Sequence, residues 1–191
     1  RVGGGLKSYS MGVELRRALE GGTDEEKINK IRKNSSIYAD SITLLLKAKR
    51  ERKSMFIYNE YIEGSGLILF TLLLELFGFS KASGFENENL KGDKYISLTS
   101  VTATDEKIKT LVNRFNQPDN MHGDIIRVIV GSRKISEGFT FKNIQVEDIQ
   151  TPWYNYSETA QVIARGYRLG SHNALLSAGV IPTVSIYQRV K

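Results

Sequence analysis

Cysteine is absent from the 191 residues, which excludes disulfides and thiolate-built zinc sites and is compatible with a reducing compartment. Histidine occurs twice, as His122 and His172, too few for a histidine-built metal centre. No apolar run is long enough for a membrane. The longest, "GLILFTLLLELFGF" at 66–79, is interrupted by Thr71 and Glu75 and falls short of the roughly 18 to 20 residues a span requires, so it predicts a helix buried on most sides. The opening "RVGGGLKSYS" lacks the charged and apolar order of a secretory leader, and a chain beginning at Arg1 without Met reads as a fragment. Glycines 3–5 do not make a phosphate loop, because Leu6 stands where such a loop needs glycine directly before its lysine.

What is present describes one globular domain: 40% hydrophobic and 25% charged residues exclude a disordered or fibrous chain. Cations outnumber acids 27 to 21, giving a net charge of +6 and a pI near 9.4, which favours a polyanionic partner such as nucleic acid.

Periodicity predicts polar, amphipathic helices over 11–34 and 36–49, with Thr23 or Asp24 and Ser35 or Ser36 as caps. Strands are predicted at 54–62, 94–102, 124–132, 146–151 and 182–190, with 80–93 a loop. A helix over 104–116 aligns Ile108, Leu111, Val112 and Phe115, and a second is predicted over 157–169. Strands apolar on both faces that alternate with helices imply an α/β fold, a parallel sheet flanked by helices on both faces. Ligands of such sheets bind beyond the carboxyl ends of the strands, which singles out "NEYIEGSG", "GSRKISEGF" and "TPWYNYSET".

In "QVIARGYR" at 161–168, Gln161, Arg165 and Arg168 fall at i, i+4 and i+7, on one face of a helix. Two forked, permanently charged guanidinium groups and an amide suit an anion with several oxygens; a solvated helix face is the alternative. In "GSRKISEGF", Ser132 and its neighbouring N–H groups suit a phosphate oxygen and Gly138 a close approach, the alternative being an ordinary turn. Trp153 reads as core or as a stacking platform.

"GSRKISEGFTF" followed by "WYNYSETAQVIARGYRLGSH" resembles motifs V and VI of superfamily 2 helicases, whose motif VI reads Gln-x-x-Gly-Arg-x-x-Arg; Ala164 stands at the usual glycine. Trp153 and "RLGSH" bring it closer to the Swi2/Snf2-like branch and to poxvirus-type nucleoside triphosphatases and early transcription factor helicases of large DNA viruses, and "SMFIYNEYIEGSG" fits motif IV. The resemblance implies a RecA-like second lobe, the helicase C-terminal domain over 36–191, with 1–35 as a helical extension or linker from a first lobe. It implies that Arg165 and Arg168 reach the γ-phosphate, that Gln161, Gly138 and Thr140 serve the nucleotide, and that Ser132, Arg133, Lys134, Asn59, Gly64 and Ser65 serve the nucleic acid. ATP and Mg2+ would be held mainly by the first lobe, whose phosphate-loop lysine and Asp-Glu pair find no match here. The implied partners are DNA or RNA, the first lobe, and RNA polymerase or transcription factor subunits; no membrane is implied. The implied location is intracellular and, if viral, host cytoplasm and virion. The rival is a non-catalytic RecA-like scaffold or nucleic-acid-binding module.

Overall fold

The computed structural model describes residues 6–82, 93–99, 101–132, 138–152 and 156–189. Its elements run α1 (Val13–Leu19), α2 (Asp24–Arg32), α3 (Ser36–Arg50), β1 (Ser54–Tyr58), α4 (Leu67–Glu75), β2 (Ser80–Lys81), β3 (Lys94–Leu98), α5 (Asp105–Phe115), β4 (Val128–Gly131), β5 (Ile144–Ile149), α6 (Tyr156–Ile163), α7 (Asn173–Ser177) and β6 (Ser185–Gln188). The strands form one sheet in the order β2-β3-β4-β1-β5-β6, and every pairing is parallel.

Parallel strands need crossovers that cover both faces, and the residues of β1 are divided accordingly. Met55 and Ile57 join the core beneath α3 and α4, together with Val128, Val130 and Tyr95. Phe56 and Tyr58 join the opposite core, where α5 contributes Ile108, Leu111, Val112 and Phe115. The apolar run at 66–79 becomes α4, with Leu67, Phe70 and Leu74 fully buried, and Thr71 returns its hydroxyl to the Ile68 carbonyl at 2.8 Å. Met11, Leu19 and Ile31 extend the first core into the N-terminal helices.

Several boundaries differ from the periodicity, each for a local reason. The single helix predicted over 11–34 is two, because Gly21 and Gly22 adopt φ of +81° and +82° and Thr23 begins a new helix. There Thr23 Oγ1 accepts from Glu26 N at 3.2 Å, while Glu26 Oε2 accepts from Thr23 N at 2.7 Å. The strand predicted over 54–62 stops at Tyr58, since the Asn59 side chain captures the Tyr61 N–H and turns the chain. That predicted over 94–102 stops at Leu98, where Thr99 Oγ1 takes the Val101 N–H. That predicted over 124–132 begins only at Val128, because Asn120 Oδ1 holds the N–H groups of Ile125 and Ile126. The segment 80–93 is not all loop: Ser80 and Lys81 pair with Lys94 and Tyr95 at the sheet edge. The last two strands occupy 144–149 and 185–188 rather than 146–151 and 182–190.

One irregularity matters for the site. Ser54 pairs with Ile144 but Met55 with Val146, so Gln145 is an extra residue in β5, a bulge. Among the described residues, no helix is long and apolar enough to cross a membrane.

Two substitutions separate core from cap. Phe115→Ala, at a site 1% exposed, is expected to cost about 3–5 kcal/mol through the cavity it opens. Thr23→Ala is expected to cost about 1 kcal/mol. Urea unfolding of the 191-residue chain measures both, and a larger loss at Thr23 would contradict this account of the core.

Candidate functional site

Two groups of polar residues stand at opposite ends of the sheet. At the carboxyl ends of β1 and β4, the Asn59 N–H donates to the Gly131 carbonyl at 3.1 Å, which brings Asn59 beside Ser132. Asn59, assigned by resemblance to the nucleic-acid track, is only 3% exposed. Its amide is spent inside: Nδ2 donates to Gln150 Oε1 at 2.9 Å, and Oδ1 accepts from Tyr61 N at 2.9 Å. Gln150 passes the network to Ser41 Oγ at 3.0 Å. The loop that follows exposes Gly64, at φ +64°, and Ser65. Tyr38 anchors it from below through its hydroxyl, which donates to the Ser65 and Gly66 carbonyls. Burial pushes the Tyr38 phenol up to about 12, so it remains a donor at any physiological pH. Gly66 is obligatory, since a Cβ there would lie 2.3 Å from the Tyr61 carbonyl oxygen. On the outer side Glu63 accepts from Lys7 Nζ at 2.8 Å and from the Tyr9 hydroxyl, and the Lys7 hydrogen bond holds its carboxyl below the usual range. Ser132 is 2% exposed, and its Oγ has no hydrogen-bond partner among the described residues.

The second group lies against the start of β5, not beyond its end. The helix predicted over 157–169 stops at Ile163, so Gln161 sits exposed on α6 while both arginines lie in the turn beyond it. The shared helical face expected for Gln161, Arg165 and Arg168 is therefore not formed. The turn closes through short-range bonds, Arg165 N to Val162 O at 3.1 Å and Gly166 N to Ile163 O at 3.2 Å. Gly166 explains the break: a Cβ there would meet Glu147 Oε1 at 2.3 Å and Ile144 Cγ2 at 3.0 Å, so the backbone rests directly on β5. Arg165 is half-buried, and its carbonyl accepts from Phe141 N at 3.0 Å. Arg168 is exposed and donates from Nη1 to Thr140 Oγ1 at 2.8 Å. The structure thus joins Arg165, Arg168 and Thr140, with Gly138 two residues upstream and exposed. "RLGSH" completes the attachment: the Ser171 carbonyl accepts from Asn143 N at 2.9 Å, and His172 Nε2 meets the Ile144 carbonyl. Tyr167 and Leu169, 67% and 107% exposed, flank Arg168 as an apolar margin. Arg133, Lys134, Glu137 and Trp153 lie outside the described residues.

Beneath the turn lies a carboxyl that sequence reading missed. Glu147 is fully buried, and neither oxygen completes a hydrogen bond among the described residues. Burial raises its pKa to about 8, opposed in part by the nearby Gly166 N–H. No spacing rule marks it, because "QVEDIQ" looks like any polar strand end. Asp148 behaves differently: it is buried and raised by desolvation, but Arg189 Nε reaches its Oδ1 at 2.7 Å and opposes the rise. Among the described residues, no three acidic or histidine groups gather as a metal site.

A six-stranded parallel sheet with helices on both faces is the architecture of a RecA-like lobe, and a turn of two arginines braced on β5 is a feature suited to anionic ligands. The solved C-terminal part of the Fun30 ATPase domain shares the fold, with a TM-score of 0.53 at 15% identity, covering 79% of this chain and 40% of that one. The protein designated helicase 087L of Invertebrate iridescent virus 3 is 46% identical over 167 residues, 87% of this chain. That designated helicase 009L of Frog virus 3 is 37% identical over 157 residues, 82% of this chain. The chain belongs to the helicase family that these viral proteins represent. It spans 17% and 16% of their lengths. No family profile matches it.

Glu147 makes stability depend on pH. Its folded pKa of about 8 lies above the ordinary 4.5, so its contribution is fully present below pH 4.5 and is lost as pH rises through about 8. Glu147→Gln is therefore expected to match the parent near pH 5 and to exceed its Tm increasingly toward pH 8.5. Parallel melting curves at the two pH values would sink this assignment. Gly166→Ala is expected to destabilise by more than about 1 kcal/mol, with part recovered when Glu147→Ala removes the carboxyl it meets; an additive double-mutant cycle would contradict that contact.

Proposed function

We propose that this chain is the second motor lobe of an ATP-dependent nucleic-acid helicase or translocase, with residues 36–191 as the lobe and 1–35 as an extension from a first lobe. The observation that carries the reading is the arginine turn: Arg168 and the backbone of Arg165 are both tied to Thr140–Phe141. Among the described residues Arg168 has no carboxylate partner, so its remaining donors suit phosphate oxygens. Thr140 and Gly138 serve the ribose side, and Gln161 on α6 links the two motifs. Mg2+ and the phosphate-loop lysine belong to the first lobe; magnesium supplies charge neutralisation there.

Phosphoryl transfer needs little covalent chemistry and much charge stabilisation, so a guanidinium that arrives only when the lobes close raises the rate by about 10³ to 10⁵. Closure and release then move a strand along the opposite edge, where Gly64 and Ser65 meet phosphates on the loop that Asn59 fixes; Ser132, Arg133 and Lys134 are assigned to the same grip by their match to motif V. Such a grip is electrostatic and carries little base information. The partners in this reading are DNA or RNA, the first lobe, and RNA polymerase or transcription factor subunits in viral transcription, in host cytoplasm and virion.

Arg165→Ala in the full-length protein is expected to lower kcat by at least about 10²-fold with nucleotide affinity within a few-fold, and Arg165→Lys to rescue little, because an ammonium cannot reproduce the bidentate fork. The 191-residue chain alone is expected to show no turnover. A near-normal kcat per folded molecule in Arg165→Ala would remove the finger and favour a non-catalytic scaffold.

A further inference from the structure

The segment from Thr140 to Asn143 leads into β5, bends at Asn143 with φ of +60°, and is held from both sides. Residues 141, 143 and 144 face the arginine turn, through Phe141 N to Arg165 O at 3.0 Å, Asn143 N to Ser171 O at 2.9 Å, and the Ile144 carbonyl to His172. Residues 140 and 142 face the other way, and there one side chain does what a neighbouring strand would do. Asn116 Nδ2 donates to the Thr140 carbonyl at 3.0 Å, and Asn116 Oδ1 accepts from Lys142 N at 2.8 Å. A primary amide offers a donor and an acceptor at the spacing of alternate backbone groups. Asn116 is itself fixed: it caps the C-terminus of α5, its N–H donates to the Val112 carbonyl at 3.0 Å, and the preceding Phe115 is buried in the core.

We propose that Asn116 is a positioning residue for Arg165 and Arg168, acting through Thr140–Lys142. The inference rests on the reading of the arginine turn as the element that meets the transferring phosphate. The path is continuous. The α5 core fixes Asn116, Asn116 fixes the carbonyl of residue 140 and the N–H of residue 142, and between them Phe141 N and Thr140 Oγ1 fix the backbone of Arg165 and the guanidinium of Arg168. Without the amide, the Phe141 ring still anchors in the core against Phe56, but the carbonyl of residue 140 and the N–H of residue 142 lose their partner, and the backbone that positions both arginines loosens. Misplacement by about 1 Å costs on the order of 10²-fold in rate, which makes a residue with no contact to the ligand consequential.

The test uses the full-length protein with Asn116→Ala and the isosteric Asn116→Asp, which keeps the acceptor and the volume but sets an oxygen against the Thr140 carbonyl. Both variants are expected to lower kcat for nucleic-acid-stimulated ATP hydrolysis by about tenfold or more per folded molecule, with KM within about threefold. Hydrogen exchange in a peptide spanning 139–146 is expected to quicken at Phe141 and Asn143 in both. A space-filling role would leave Asn116→Asp at the parent kcat and exchange rate, which overturns the inference; so does unchanged exchange in either variant. Arg165→Ala run alongside separates the two ideas. If it leaves kcat intact while exchange quickens in the Asn116 variants, the finger reading fails and the latch stands; if it abolishes turnover while the Asn116 variants behave as the parent, the latch alone fails.

Discussion

Ser54 faces Ile144 across the β1–β5 ladder and Met55 faces Val146, and the residue left over, Gln145, changes which side of the sheet the first residues of β5 address. Without the bulge, Ile144 and Glu147 would lie on opposite faces, because side chains alternate along a strand. With it, both lie beneath Gly166. The position of the arginine turn depends on that seat. The turn can approach only because residue 166 has no side chain, and the helix before it must end to let it do so.

The two polar regions occupy opposite ends of β5 for a geometric reason. β5 has six residues and spans roughly 20 Å, while α6, with eight, returns roughly 12 Å of that before its terminal turn completes the path. A helix that leaves the carboxyl end of a strand and runs back across the sheet delivers its last residues to the amino end. The Asn59–Gln150–Ser41 network therefore holds one edge, and the arginine turn, tied to residues 140–144, holds the other.

Electrostatics divides the buried acids according to their partners. Arg127, with its side chain 5% exposed, is satisfied by Asp93 at 3.3 Å, Asp124 at 3.4 Å and the His122 carbonyl at 2.8 Å, a closed set that ties β4 to its approach segment. Asp148 has Arg189, which tethers β6 to β5. Glu147 has neither a cation nor a completed hydrogen bond among the described residues, and burial raises it to about 8.

Most of the order of helices and strands was legible in the sequence because each depends on near neighbours: Thr23 and Thr104 cap their helices, Ile108, Leu111, Val112 and Phe115 recur at helical spacing, and Val128–Gly131 is apolar throughout; the break between α1 and α2, the two-residue β2 and the short α7 were not. The parallel sheet followed from their alternation, and motif VI pointed to Arg165 and Arg168 through residue types and spacing. What the sequence could not determine was where those arginines stand. Gln161, Arg165 and Arg168 fit one helical face by count, but Gly166 must touch β5, and that contact overrides the local periodicity. Asn116 and Thr140 are 24 positions apart and Asn59 and Gln150 are 91, so no short-range pattern could pair them. Only the pairing of β1 with β5 and the packing of α5 against the sheet bring such groups within 3 Å or so, because hydrogen bonds act at contact and burial acts on whichever surfaces the chain folds together.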